Sequence, residues 1–223
     1  MRRWTVRSRV PGVSNTYLAL EAATPDTYLG DDGIVQAQSP AVRSLARRLR
    51  ERAGGDVPFA EAAFDWVRDR VGHSYDVRDP RVTLTANDVL EARVGLCYAK
   101  SHLLAALLRS EGVPTGLCYQ RLSHDEGHVL HGLVAIHLEG EWHRQDPRGN
   151  KAGVDAEFSL GTEQLAWNVD PSLGEIDYPQ LFVSPARGVV DALRGTTDVL
   201  SLYGTGLPTG LDARDIHGHR IAI

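Results

Sequence analysis

The sequence predicts an α+β fold, a buried helix packed on an antiparallel sheet. Three observations carry this expectation. The run Leu103 to Leu108 is apolar on every side of a helix, which marks a helix surrounded by protein. Downstream, Gly116 to Leu122, His128 to Leu138 and Glu141 to Asp146 read as strands, the last two joined at Glu139-Gly140. Upstream, Val42 to Leu49 and Phe59 to Val71 repeat apolar residues at helical spacing.

Taken in order, residues 1–38 read as strands and turns. Trp4 to Val10 alternates, Pro11-Gly12 interrupts it, and Tyr17 to Leu20 is a candidate partner. Ser39-Pro40 sets serine as N-cap and proline at the first helical position. The helix it opens shows Val42, Leu45, Ala46 and Leu49 on one face and runs to Gly54-Gly55. The basic stretch Arg43 to Arg52, which also holds Glu51, reads as its solvated face. A second helix begins near Asp56, presents Phe59, Ala63, Trp66, Val67 and Val71, and stops at Gly72. Thr85-Ala86-Asn87-Asp88 is a capping-box entry to a third helix through Arg93. The buried helix spans about Cys97 to Ser110, and Ser123 to Gly127 reads as a polar loop between strands. Residues 151–182 look loop-rich, Ser184-Pro185 opens a last helix to Leu193, and the tail beyond Gly204 reads as peripheral.

Composition narrows the function classes. A chain of 223 residues, 42% hydrophobic and 24% charged, suits a single domain over residues 1–223. A net charge of −5 with the signs interspersed gives no electrostatic footprint for nucleic acid or an anionic membrane. Leu103 to Leu108 is far too short to cross a bilayer. Two cysteines make no disulfide framework, and the charged start Met1 to Arg7 lacks the apolar stretch of a signal peptide. The expected location is the reducing cytoplasm, where a thiol nucleophile survives unprotected.

The chemistry resides in an ordered trio: Cys97, His131 and Asp146. Cys97 falls in the first turn of the buried helix, where free backbone N–H groups and the helix dipole favour a thiolate and can face an oxyanion. Counting the hairpin places the other two. If Glu139-Gly140 is a two-residue turn, Leu138 faces Glu141 and Leu133 faces Asp146. His131 shares a face with Leu133, so Asp146 is its diagonal neighbour and can fix the imidazole tautomer. Read singly, each has a bland alternative: a buried thiol, a core-edge histidine, a turn aspartate.

Other residues are weighed the same way. Cys118 lies mid-strand and reads as packed and inert. Lys100, one turn past Cys97, is either a cation beside the thiolate or a solvated lysine. Gln120 and Arg121 end a strand where a cleft would open and could hold a carbonyl or carboxylate, or simply face water. Tyr75 and Tyr98 are candidates for substrate contact or for a second oxyanion donor. His124, His128 and His131 have a spacing that needs a helix to converge on a metal, yet the segment reads as loop and strand, so no metal site is expected. His137 and His143 read as hairpin pairing residues. No cofactor is implied.

Gly-x-Cys at a helix start, a strand opening at His131 and a hairpin closing from Trp142 to Asp146-Pro147 together resemble the transglutaminase-like superfamily. The Cys97-Tyr98-Ala99-Lys100-Ser101-His102-Leu103-Leu104 and Asp146-Pro147-Arg148-Gly149-Asn150-Lys151 stretches resemble a bacterial branch described as cysteine proteases. The resemblance implies a papain-like core over about residues 56–151, with an N-terminal strand and helix and a C-terminal loop and helix as embellishments. By the same resemblance Cys97 is the nucleophile, His131 the general base and acid, and Asp146 its orienter, acting on a peptide or protein amide. Two departures bear on the outcome. Gly132-Leu133 follow His131 where many relatives carry an aromatic residue, and no tryptophan adjoins Cys97. Thin aromatic cover favours water, so amide hydrolysis through a thioester is the first expectation. Transfer to an amine comes second, arylamine acetyl transfer third, and a catalytically silent peptide-binding member is the rival class.

Overall fold

A computed structural model describes residues 6–9, 17–125 and 127–217 of the chain. Strand β1 (Val6–Arg9) pairs antiparallel with β2 (Tyr17–Leu20), the expected partner. Trp4, Val10 and the Pro11-Gly12 break lie outside the described residues.

Helix α1 (Pro40–Arg50) starts at the Ser39-Pro40 signal but ends ahead of Gly54-Gly55. There the chain tightens into i→i−3 turns, with the Arg52 N–H on Leu49 O and the Ala53 N–H on Arg50 O. Helix α2 (Asp56–Arg70) buries Phe59, Ala60, Ala63, Phe64 and Val67. Trp66 is half-buried at the edge of the core, with the Arg93 guanidinium over its ring at 4.4 Å. Short elements follow that two-residue patterns could not announce. Strand β3 (Gly72–His73) pairs parallel with β4 (Val94–Gly95), with α3 (Ser74–Val77) and α4 (Ala86–Ala92) between them. The capping box of α4 is present: Thr85 Oγ1 accepts from the Asp88 N–H and Asp88 Oδ2 from the Thr85 N–H. Ser39 does not cap α1 with its side chain. Its Oγ donates to Asn87 Oδ1 at 2.6 Å and ties α1 to α4.

Helix α5 (Cys97–Ser110) is the centre of the fold, buried from Cys97 through Arg109. It packs against α1, α2 and α4 and against the sheet strands β5 (Thr115–His124) and β6 (Gly127–Leu138). The sheet is completed by β7 (Glu141–Gln145) and β8 (Ile176–Asp177), in the order β7-β6-β5-β8, all antiparallel. Leu117, Tyr119, Val134 and Ile136 join the α5 core, while Cys118, Leu133 and Ala135 between them pack with Leu18, Leu20, Tyr28 and Trp142. This alternation is what a sheet covered on both faces requires. Strands β5 and β6 extend to His124 and Gly127, so the expected loop Ser123 to Gly127 is mostly ladder.

The counted hairpin register is the observed one: Leu138 pairs with Glu141 and Val134 with Gln145. Glu139 (φ 52°) and Gly140 (φ 85°) are both left-handed, the primed turn that suits strand twist. Strand β9 (Gln180–Leu181) joins β2 in parallel. Helix α6 (Arg187–Arg194) begins later than Ser184-Pro185, and α7 (Leu202–Thr205) and α8 (Ala213–His217) follow. The described residues beyond Gly204, 205–217, are not all peripheral: the Leu130 N–H donates to Pro208 O at 2.6 Å, one residue from His131. Among the described residues no helix is long and apolar enough to cross a membrane.

Candidate active site

Cys97 opens α5 after Leu96, and no side chain caps that turn, so its first N–H groups stay available. The cysteine is 7% exposed and lines a cavity of about 280 Å³ with His131, His73, Trp167 and Tyr203. The Gly132 N–H points at Cys97 Sγ from 3.4 Å.

His131 Nε2 lies 2.7 Å from Asp146 Oδ2. An ionised carboxylate only accepts, so Nε2 carries the proton and Nδ1 is left for the thiol. Asp146 is fully buried and also accepts from the Arg148 and Ala166 N–H groups, each at 3.1 Å. Burial alone would raise its carboxyl, but the His131 charge and these hydrogen bonds hold it below the ordinary value. Burial would likewise push His131 down. The charges of Asp146 and Cys97, with hydrogen bonds to both, outweigh it and raise the imidazole to about 10. The three side chains thus favour an imidazolium poised between sulfur and carboxylate.

The remaining predicted residues part company. Tyr75 stands on the cavity wall, its ring stacked on Tyr203 at 4.1 Å. Tyr98 is beside Cys97, but its hydroxyl is committed to Leu130 O. Lys100 is neither solvated nor beside the thiol: it is buried and donates to Val71 O and Arg68 O at the end of α2. Burial, then the Arg148 charge, push it down to about 7. Gln120 is buried opposite His131 in the ladder and does not line the cavity. Arg121 donates to His128 Nδ1 at 2.9 Å, while His128 Nε2 donates to Leu173 O at 2.9 Å. His124 packs edge-on against Tyr203 at 5.9 Å, so the three histidines serve separate partners. Among the described residues no cluster of His, Cys, Asp or Glu is placed to hold a metal. Cys118 is fully buried, and burial pushes its thiol up.

Four cavity residues escaped the sequence reading. Trp167 meets the His131 ring edge-on at 5.0 Å, so the expected thin aromatic cover beside His131 is corrected: a loop supplies what the strand lacks. Arg148 lies over Trp167 at 5.1 Å and grips Asp76 through both terminal nitrogens. His73 is brought next to Gly95 by the short parallel ladder. Burial and the Arg148 charge push it well down, and its buried Nδ1 makes no hydrogen bond, with Asp76 Oδ2 3.8 Å away. Tyr203 comes from α7, far along the chain. Only Arg148 carried a local signal, adjoining Asp146-Pro147.

Residues 43–147 match the family model described as the transglutaminase-like superfamily. That segment is just under half of the chain and holds the whole trio. No curated protein matches the sequence. Among solved structures the chain is similar to a candidate cysteine protease from Cytophaga hutchinsonii, at 19% identity and a TM-score of 0.47 over 54% of this chain and 40% of that one. It is also similar to the periplasmic domain of TgpA from Pseudomonas aeruginosa, at 21% identity and a TM-score of 0.44 over 56% of this chain and 48% of that one. The chain spans less than half the length of either.

Proposed function

From the match of residues 43–147 to the transglutaminase-like family model, we propose that the protein is a cysteine-dependent amide or peptide hydrolase working through a thioester. The observation that carries this reading is that Cys97 and His131 line one cavity large enough for substrate groups, with Asp146 buried behind His131 and bonded to it. The Cys97 thiolate attacks an amide carbonyl, and the oxyanion faces the free Cys97 N–H at the helix start. The His131 imidazolium gives its proton to the departing amine, which leaves a thioester and a neutral imidazole. Water then attacks the thioester, its proton passes to His131, and the carboxylic acid departs as Cys97 is restored. Asp146 holds the ring in register throughout. Two unpaired cysteines accord with a reducing compartment.

One observation favours a second reading, transfer of the acyl group to an amine. Trp167 and Tyr203 give the cavity aromatic walls that disfavour water and suit the alkyl stem of an amine. The test has two stages. A thiol-reactive acyl probe should modify Cys97 and spare Cys118, and the modification should vanish in His131→Ala. Equal modification of both thiols would reject the nucleophile. With a substrate found by probe competition, a lysine analogue is then added over a wide concentration range. Acid as the main product supports hydrolysis; amide dominating at low millimolar amine makes the protein a transferase.

A further inference from the structure

Between the end of β7 at Gln145 and the start of β8 at Ile176 the chain forms no ladder of more than an isolated bridge, and its one helical turn is Pro171–Leu173. Yet this stretch supplies the Ala166 N–H to Asp146 and the Trp167 ring to His131. Something other than backbone pairing must fix it. Arg148 is 4% exposed and sits at the junction. Its backbone N–H donates to Asp146 Oδ1 at 3.1 Å and its guanidinium lies over Trp167 at 5.1 Å. Its Nη1 and Nη2 reach Asp76 of α3 at 2.5 and 3.0 Å. Asp76 also holds Lys151 at 2.9 Å. A bidentate fork sets orientation as well as distance, which a single ion contact does not.

We propose that Asp76 and Arg148 are positioning residues of the reaction centre: Asp76 locks the Arg148 fork, and Arg148 sets Asp146 through its N–H and His131 through Trp167. This rests on the Cys97–His131–Asp146 reading above. Neither residue touches the reacting atoms in this arrangement. Their effect is to keep the imidazole between sulfur and carboxylate, where a displacement of about 1 Å costs on the order of a hundredfold in rate.

The sign of a pH shift separates positioning from charge. The charged and titratable groups around His131 are Cys97 on α5, Asp146 after β7, His73 on β3 and, beyond Trp167, Arg148. Removing the Arg148 cation would, by charge alone, favour the imidazolium and move its titration up. Loosening the His131–Asp146 contact moves it down. The experiment measures alkylation of Cys97 by iodoacetate against pH, because an anionic reagent follows the imidazolium. Variants are Arg148→Gln, Arg148→Lys and Asp76→Asn. Asp79→Asn, whose carboxylate pairs with exposed Arg81, serves as a control expected to match wild type.

The expected result is a high-pH limb displaced downward by about one pH unit in all three variants, with a fall in plateau rate of about tenfold or more. Arg148→Lys keeps the charge and loses the fork, so it should follow Arg148→Gln. If Arg148→Gln does not fold, by near-ultraviolet circular dichroism, Arg148→Lys carries the comparison, because loss of the Asp76 anion lowers the imidazole by charge alone. A limb that stays in place or rises in the variants overturns the positioning role and leaves the nucleophile assignment standing. Wild-type Cys97 no more reactive than Cys118 rejects that assignment and this inference with it.

Discussion

Gly132 lies so close to Tyr98 that a Cβ on it would stand 2.8 Å from Tyr98 Cδ1 and 3.2 Å from Tyr98 Cα. The contact brings β6 against the first turn of α5 and lets the Gly132 N–H face Cys97 Sγ. It also explains why glycine follows His131 in this chain. Tyr98 cannot retreat, since it is buried and its hydroxyl is bonded to Leu130 O.

Gly132→Ala should therefore part Cys97 from His131. Overpacking of this kind costs about 1–3 kcal/mol, read by urea unfolding. Labelling of Cys97 by an acyl probe should fall by about a hundredfold, more than the lost stability alone explains. Wild-type labelling in a folded Gly132→Ala protein would show that the close approach does not serve the site.

Asp146→Asn keeps one carbonyl oxygen, enough for the Arg148 N–H that meets Oδ1 or the Ala166 N–H that meets Oδ2 but not for both, and it loses the charge that His131 leans on. Turnover should drop by ~10³–10⁴ while the fold persists. The pH dependence has a fixed sign. The folded imidazole stands at about 10 against an ordinary 6.5, so its stabilisation is complete below about pH 6.5 and is lost as pH rises through about 10. Asp146, held below its ordinary value, stabilises above that value and loses the effect as pH falls through its folded titration. The stability gap between wild type and Asp146→Asn should thus narrow from pH 7 to 10 and again in acid. A gap constant with pH in urea titrations would dissociate the carboxylate from the imidazole.

Lys100 makes the opposite contribution over the same range. Its folded value near 7 lies below the ordinary 10.5, so the unfolded chain binds more protons between them and stability rises with pH there, by at most about 1.4 kcal/mol per unit. Lys100→Met abolishes that slope and strands the carbonyls of Arg68 and Val71, at about 1–3 kcal/mol for each buried group. Relative to Lys100→Met, wild type should gain stability from pH 7 to 9. A difference that stays constant over that interval would place the charge of Lys100 in water.

Much of the site was legible because its geometry is local. The turn at Glu139-Gly140 sets the pairing sum, the pleat sets the face, and both are short-range rules that put Asp146 beside His131 from a count alone. The helix start at Cys97 was equally readable, since a run apolar on every side, beginning two turns after Gly95, fits a buried helix and little else. Trp66 shows the limit: helical spacing put it with the core, which it edges, but did not announce the Arg93 guanidinium over its ring.

By itself, then, the sequence determined the α+β class, the buried helix, the hairpin register and the positions of thiol, imidazole and carboxylate along the chain. These follow from periodicity, turn chemistry and capping, which act within a few residues. Tertiary structure alone decided what surrounds the trio. Lys100 could face the thiol or water as far as its helix position says, and the open carbonyls ending α2 drew it inward. Trp167 and Tyr203 reach the cavity, and Asp76 reaches Arg148, from loops and short helices whose paths depend on packing against the finished core. A buried cation such as Arg148 is placed by partners distant in sequence, and those meet only once the chain has folded.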